Sequence, residues 1–90
     1  HKGTIENAYT ISNGEYEVIE AEIIETSELI NKELKNSNLP EELRVGAVLR
    51  EKKIIIPRSD FVFKKDDRVV FLAKKESISF VENIFRLSSV

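Results

Sequence analysis

Four arginines carry most of the chemical interest in this 90-residue chain: Arg44, Arg50, Arg58 and Arg68. A guanidinium can grip a phosphate or carboxylate with two parallel hydrogen bonds, so clustered arginines invite a search for an anion site. Arg44 stands out because it lies two residues before Gly46, with Pro57-Arg58 close by if the intervening chain forms a hairpin. The plainer reading is that these arginines are solvated strand ends, or partners of Glu51, Asp60 and Asp67. Surface ion pairs of that kind contribute little.

The carboxylate pairs Glu41-Glu42 and Asp66-Asp67 raise the question of acid–base work. Loop solvation accounts for the first, and turn formation by Asx side chains bonding local backbone accounts for the second. The single histidine is His1, there is no cysteine, and Gly3, Gly14 and Gly46 are far apart. These counts leave no Ser-His-Asp arrangement, no thiolate or imidazole metal site and no glycine-rich phosphate loop. No catalytic residue, metal ligand or resident cofactor is expected.

Composition bounds the rest. A hydrophobic fraction of 41% with 33% charged residues describes one ordinary globular domain. Fourteen basic and sixteen acidic residues leave a net charge of −2, and the basic residues form no stripe. Phe63, Phe71, Phe80 and Phe85 fit core positions rather than a stacking platform. Nucleic acid is therefore not an expected partner. No apolar run approaches the roughly 20 residues that cross a bilayer. The chain opens His-Lys-Gly, without an apolar signal region, so a cytoplasmic setting and a longer parent protein are expected.

Elements must position these residues. His1 to Glu15 read as a linker or the tail of a preceding domain, and residues 16–90 as one folded unit. Tyr16 to Ile24 alternate at period two, with Ile19, Ala21 and Ile23 on one face, which marks a half-buried strand. Thr26 or Ser27 offers an N-cap. Leu29, Ile30, Glu33 and Leu34 recur at helical spacing, predicting a helix from Ser27 to about Asn36. Ser37-Asn38-Leu39-Pro40 should end it.

From Gly46 to Ala73 the pattern predicts a three-strand antiparallel meander. Arg44 to Arg50 form its first strand, with Gly46 marking a bulge or close backbone approach. Ile54-Ile55-Ile56, apolar on both faces, read as a central or doubly covered strand that Pro57 stops. Arg68 to Lys74 form the last strand, and Ser77 to Leu87 a closing amphipathic helix. The fold class is α+β in the order β-α-β-β-β-α. It is a mostly antiparallel sheet with two helices packed on one face.

Assembled in this order, the pieces EVIEAEI, LINKEL followed by NLP, VGAVLREKKIIIPRSD, DDRVVFLA and VENIF resemble the C-terminal domain of regulators of potassium conductance, the TrkA-C or RCK-C family. The resemblance runs from Glu17 to Phe85. Members often carry glycine in the hairpin, after the Pro-Arg and before the Asp-Arg-Val. This chain has Glu51-Lys52-Lys53, Ser59 and Asp66 there.

The resemblance implies a non-catalytic, cytoplasmic regulatory domain. It implies a homodimer attached, through its full-length protein, to a membrane transporter or channel subunit of a potassium uptake system. Some relatives bind a small effector at the dimer interface, in one branch cyclic di-adenosine monophosphate. That branch carries an asparagine-bearing segment where this chain has Arg44-Val45-Gly46. That departure counts against a direct transfer of this ligand; the ligand class the resemblance allows is a cyclic dinucleotide or another small anionic effector, lined by Arg44, Val45, Gly46, Pro57 and Arg58. The competing expectation is a ligand-free dimerisation module of another transporter or of a transcription regulator.

Overall fold

The computed structural model describes residues 5–11, as backbone, and residues 14–79. Among the described residues, five antiparallel strands form one sheet: β1 (Ile5–Ile11), β2 (Tyr16–Glu22), β3 (Leu43–Arg50), β4 (Lys53–Ile55) and β5 (Arg68–Lys74). Their spatial order is β1-β2-β5-β3-β4.

Two features depart from the sequence reading at once. The stretch read as a linker contains β1, which pairs with β2 in a register that sets Ala8 against Ile19. The consecutive meander is also absent, because β5 inserts between β2 and β3 and leaves β4 at the sheet edge. Ile54 and Ile56, read as central, are 72% and 73% exposed. An apolar run on both faces signals burial on both sides, and here it sits on an edge where Ile55 packs against the core while the face of Ile54 and Ile56 is left open.

The period-two alternation of β2 holds. Ile19, Ala21 and Ile23 are fully buried and meet Val69, Phe71 and Ala73 from β5. The pairing continues past the strand ends, since Ile23 N–H donates to the Asp67 carbonyl and Asp66 N–H to the Ile23 carbonyl, both at 2.8 Å. In β3 the register shifts between Val45 and Ala47, so Gly46 is a bulge residue. The extra residue changes which side chains face inward. Leu43 is buried before the bulge and Val48 after it, five residues on, whereas unbroken alternation would bury residues an even number apart. An added Cβ on Gly46 would meet only the Val70 carbonyl oxygen, at an ordinary 3.7 Å.

The first expected helix does not form. Residues 28–31 make a turn, Asn31 takes a left-handed φ of 63°, and only Leu34–Asn36 wind into a 3₁₀ turn. The backbone there bonds to a distant segment instead of to itself. Asn31 N–H donates to the Phe63 carbonyl at 2.8 Å, Leu34 N–H to Phe61 at 2.8 Å and Lys35 N–H to Ser59 at 2.9 Å. Phe63 N–H returns a bond to Lys32 at 3.1 Å. The apolar side chains still reach the core: Leu29 is buried, and Ile30 and Leu34 pack against it. The helical spacing was thus a burial pattern that another backbone path also satisfies. Ser27 keeps a cap-like role without a helix, its Oγ accepting Leu29 N–H at 3.2 Å.

Of the second expected helix, Ser77 to Leu87, a 3₁₀ turn (Lys75–Ser77) and helical residues 78 and 79 are described. Ile78 packs on the core, and residues 80–87 of that helix lie outside the described residues.

Candidate functional site

The 3₁₀ turn, the Asn38–Pro40 loop and the start of β3 enclose a cleft of about 400 Å³. Its apolar walls are Leu34, Leu39, Pro40, Leu43 and Val45, and its polar groups are Lys35, Asn38, Arg44 and Ser59. The local chain explains the shape. The Lys35 N–H bond to the Ser59 carbonyl ties the turn to the loop after β4, and Ser37 Oγ donates to the Glu33 carbonyl at 2.9 Å. Asn38, at a left-handed φ of 54°, then redirects the chain toward Pro40. Asparagine tolerates that conformation better than most residues.

Of the residues singled out from sequence, Arg44 and Val45 line this cleft. Gly46, Pro57 and Arg58 are not among its lining residues. Gly46 is the exposed bulge just beyond Val45. Pro57 is half-buried two residues past the end of β4, and Arg58 is exposed beside Ser59. Sequence reasoning missed Lys35, Asn38 and Ser59 as contributors. The available signal was Ser37-Asn38-Leu39-Pro40, whose turn chemistry was legible while its position against β3 was not.

Lys35 and Arg44 are the two cations of the cleft, with no carboxylate among its lining residues. Both carry apolar stems that can lie along the leucine and proline walls while the charge stays wet. The arrangement suits a flat molecule that is anionic at its rim and apolar on its faces, within the size range of ordinary ligand pockets. A larger hollow of about 630 Å³ borders Gly14, Tyr16, Glu15, Glu76, Lys74 and Lys75. Its two carboxylates offset its two ammonium groups, so it shows no preference for either sign of charge.

Arg50 is committed elsewhere. Its Nε and Nη2 donate to Asp67 Oδ1 and Oδ2, each at 2.7 Å, and Nη2 also donates to the Val62 carbonyl at 2.9 Å. The guanidinium lies 4.8 Å from the centroid of the Phe61 ring, which meets Phe63 edge-to-face at 5.4 Å. The hydrogen bonds that Arg50 donates to Asp67 raise its pKa, and burial opposes them more weakly. Arg50 and Arg68, which pairs with Glu20 at 3.3 Å, thus follow the plainer ion-pair reading. Among the described residues no three acidic, histidine or cysteine side chains are grouped to hold a metal ion.

The sequence model of the TrkA-C domain matches residues 18–86. The chain belongs to the TrkA-C domain family. The Trk system potassium uptake protein TrkA of Azorhizobium caulinodans is 38% identical over 97% of the chain, which spans 19% of that protein. A TrkA homolog of Archaeoglobus fulgidus is 34% identical over 92% of the chain, again spanning 19% of the relative. This TrkA-C domain therefore corresponds to about a fifth of the length of the curated proteins it resembles. Among solved structures, the GsuK RCK domain superposes with a TM-score of 0.77 at 15% identity, covering 92% of this chain and 18% of that one. A structure described as an RCK domain with cda superposes at 0.63 with 18% identity, covering 76% of this chain and 96% of the other. Both likenesses establish an RCK-domain-like fold for the TrkA-C domain.

Proposed function

We propose that this TrkA-C domain is the ligand-sensing, dimerising regulatory module of a Trk-type potassium uptake system or a related ion-transport system. In this reading it is non-catalytic and works on the cytoplasmic side. It is held at the membrane through the transporter that its full-length protein serves. The similarity to TrkA proteins of Trk potassium uptake systems supports the potassium assignment. The observation that carries the sensing role is the cleft whose apolar walls are topped by Lys35 and Arg44. Its occupant is a cyclic dinucleotide or another small anionic effector, with Arg44 and Lys35 on the anion. Val45 lies against the apolar face, and Gly46, Pro57 and Arg58 flank the mouth.

Sensing requires two arrangements of a dimer. A ligand shifts their balance only by its differential affinity, so the cleft must be shaped differently in the two.

Calorimetric titration of the chain with cyclic dinucleotides and with mononucleotides tests the reading, alongside light scattering for the dimer. The expected result is a particle of twice the chain mass that binds one of these anions and loses affinity on Arg44→Ala. Ligand at about 100 times its dissociation constant should add about 2.7 kcal/mol of stability, or roughly 10–20 °C in a domain this size. A confirmed dimer with neither heat nor melting shift would leave the structural dimerisation module as the better account. A monomer would remove dimer-based gating.

A further inference from the structure

The other unassigned surface is the free edge of the sheet at β4. In the β3–β4 hairpin Arg50 pairs with Lys53 across a two-residue loop, Leu49 with Ile54 and Val48 with Ile55. The pair flanking such a loop exchanges both backbone bonds, so the next residue turns its N–H and C=O away from the neighbouring strand. Ile54 and Ile56 therefore present their backbone groups outward. The same two residues have the most exposed large apolar side chains among the described residues. Pro57, which lacks an N–H, falls on the inward alternation and does not interrupt this outer row. An accessible edge with this spacing is a template for an added strand.

Charge selects the occupant. Lys52, Lys53 and Arg58 bracket the isoleucines and are exposed, and Glu51 is the single carboxylate of residues 51–58. A second copy would bring the same excess of positive charge to the seam. The antiparallel register that joins Ile54 to Ile56 would set Lys52 opposite Arg58, and like charges directly opposed are destabilising. An acidic strand meets the opposite situation.

We propose that the β4 edge is a docking site for an extended acidic peptide of a partner protein, added as a sixth, antiparallel strand. The peptide alternates apolar residues, which lie beside Ile54 and Ile56, with glutamate or aspartate on the opposite face beside Lys53, and the exposed Lys52 and Arg58 at the two ends add to the positive field that draws it. The site is separate from the anion cleft and stands whether or not an effector binds there.

The probe is a fluorescein-labelled octapeptide of alternating valine and glutamate, compared with its valine–lysine counterpart, read by fluorescence polarisation and by amide exchange of the 90-residue chain. The valine–glutamate peptide should bind and slow exchange at Ile54 and Ile56, and the lysine peptide should not bind. Ile56→Pro removes one outward N–H just past the end of β4 and should weaken binding at least about tenfold with unchanged melting. Lys53→Glu, which keeps the edge but reverses its charge, should do the same. Equal binding of both peptides, binding unaffected by Ile56→Pro, or protection of the Ile54 and Ile56 amides by self-association alone would each overturn the proposal. Absence of binding at millimolar peptide, with the chain shown folded by its amide spectrum, would do so too. Effector titration of Ile56→Pro should be unchanged, which separates this edge from the cleft.

Discussion

Arg50, the last residue of β3, holds Asp67, the residue immediately before β5, through Nε and Nη2 at 2.7 Å each. Asp67 is 1% exposed, and its Oδ2 also accepts the Lys64 N–H at 2.8 Å. One carboxylate thus fixes the end of β3, the turn into β5 and, through the Arg50 bond to Val62, the segment carrying Phe61 and Phe63. Asp66, its neighbour, makes the turn itself at a φ of 73°.

Removing one partner strands the other. Asp67→Ala should cost about 3 kcal/mol, because Arg50 would be left partly buried and unpaired beside Phe61. Arg50→Lys should fall between wild type and Arg50→Ala, since an ammonium keeps the charge and loses the fork. Urea denaturation of the three variants gives the ranking. An Asp67→Ala loss below the range of exposed ion pairs would show that the clamp is ornamental.

The hairpin turn carries stored strain. Glu51 and Lys52 both have positive φ, at 50° and 68°, the geometry of a two-residue turn that favours Asn-Gly. The double change Glu51→Asn with Lys52→Gly should raise stability by about 1 kcal/mol, read as a higher denaturation midpoint at constant slope.

At Gly46 the opposite substitution is tolerated. Its backbone is outside the left-handed region, and an added methyl finds ordinary contact with Val70. Gly46→Ala should leave melting unchanged or raise stability by about 0.5 kcal/mol, the bulge surviving in the amide spectrum. A large loss would mean that the bulge needs more than extra length.

Asn31 tests the path that replaces the expected helix. Its φ of 63° suits asparagine or glycine. Asn31→Gly should be nearly neutral and Asn31→Ala should cost about 1 kcal/mol. If residues 27–36 were helical, alanine would instead be the more stable choice, so thermal melts of the pair discriminate the two backbones.

These cases show where sequence legibility ends. β2 and β5 were readable because one face of each is buried and the period is two. Phe63 was readable as core. The segment from Ser27 to Asn36 was misread because Leu29, Ile30 and Leu34 record burial, whereas the partner of the segment's backbone lies 24 or more residues away, at Ser59 to Phe63. No local pattern reports such a pairing. β4 was misread for a related reason: three isoleucines in a row state that the strand is apolar but not that its second neighbour is missing. In the cleft, Arg44 and Val45 were found from the Gly46 neighbourhood. Lys35, Asn38 and Ser59 come from two other segments and meet only when the tertiary ties form.

The strand order has a consequence for synthesis. β5 is the last of the five strands to be made, yet it sits in the middle of the sheet, with β2 on one side and β3 on the other. Until Arg68 to Lys74 leave the ribosome, the nascent chain holds two separate hairpins, β1–β2 and β3–β4. Two-stranded hairpins alone are marginal in water. Asp67, the partner of Arg50, arrives in the same moment. Folding is therefore a late event that waits for one strand and one carboxylate, and until then the inner faces of β2 and β3 stand open to chaperones.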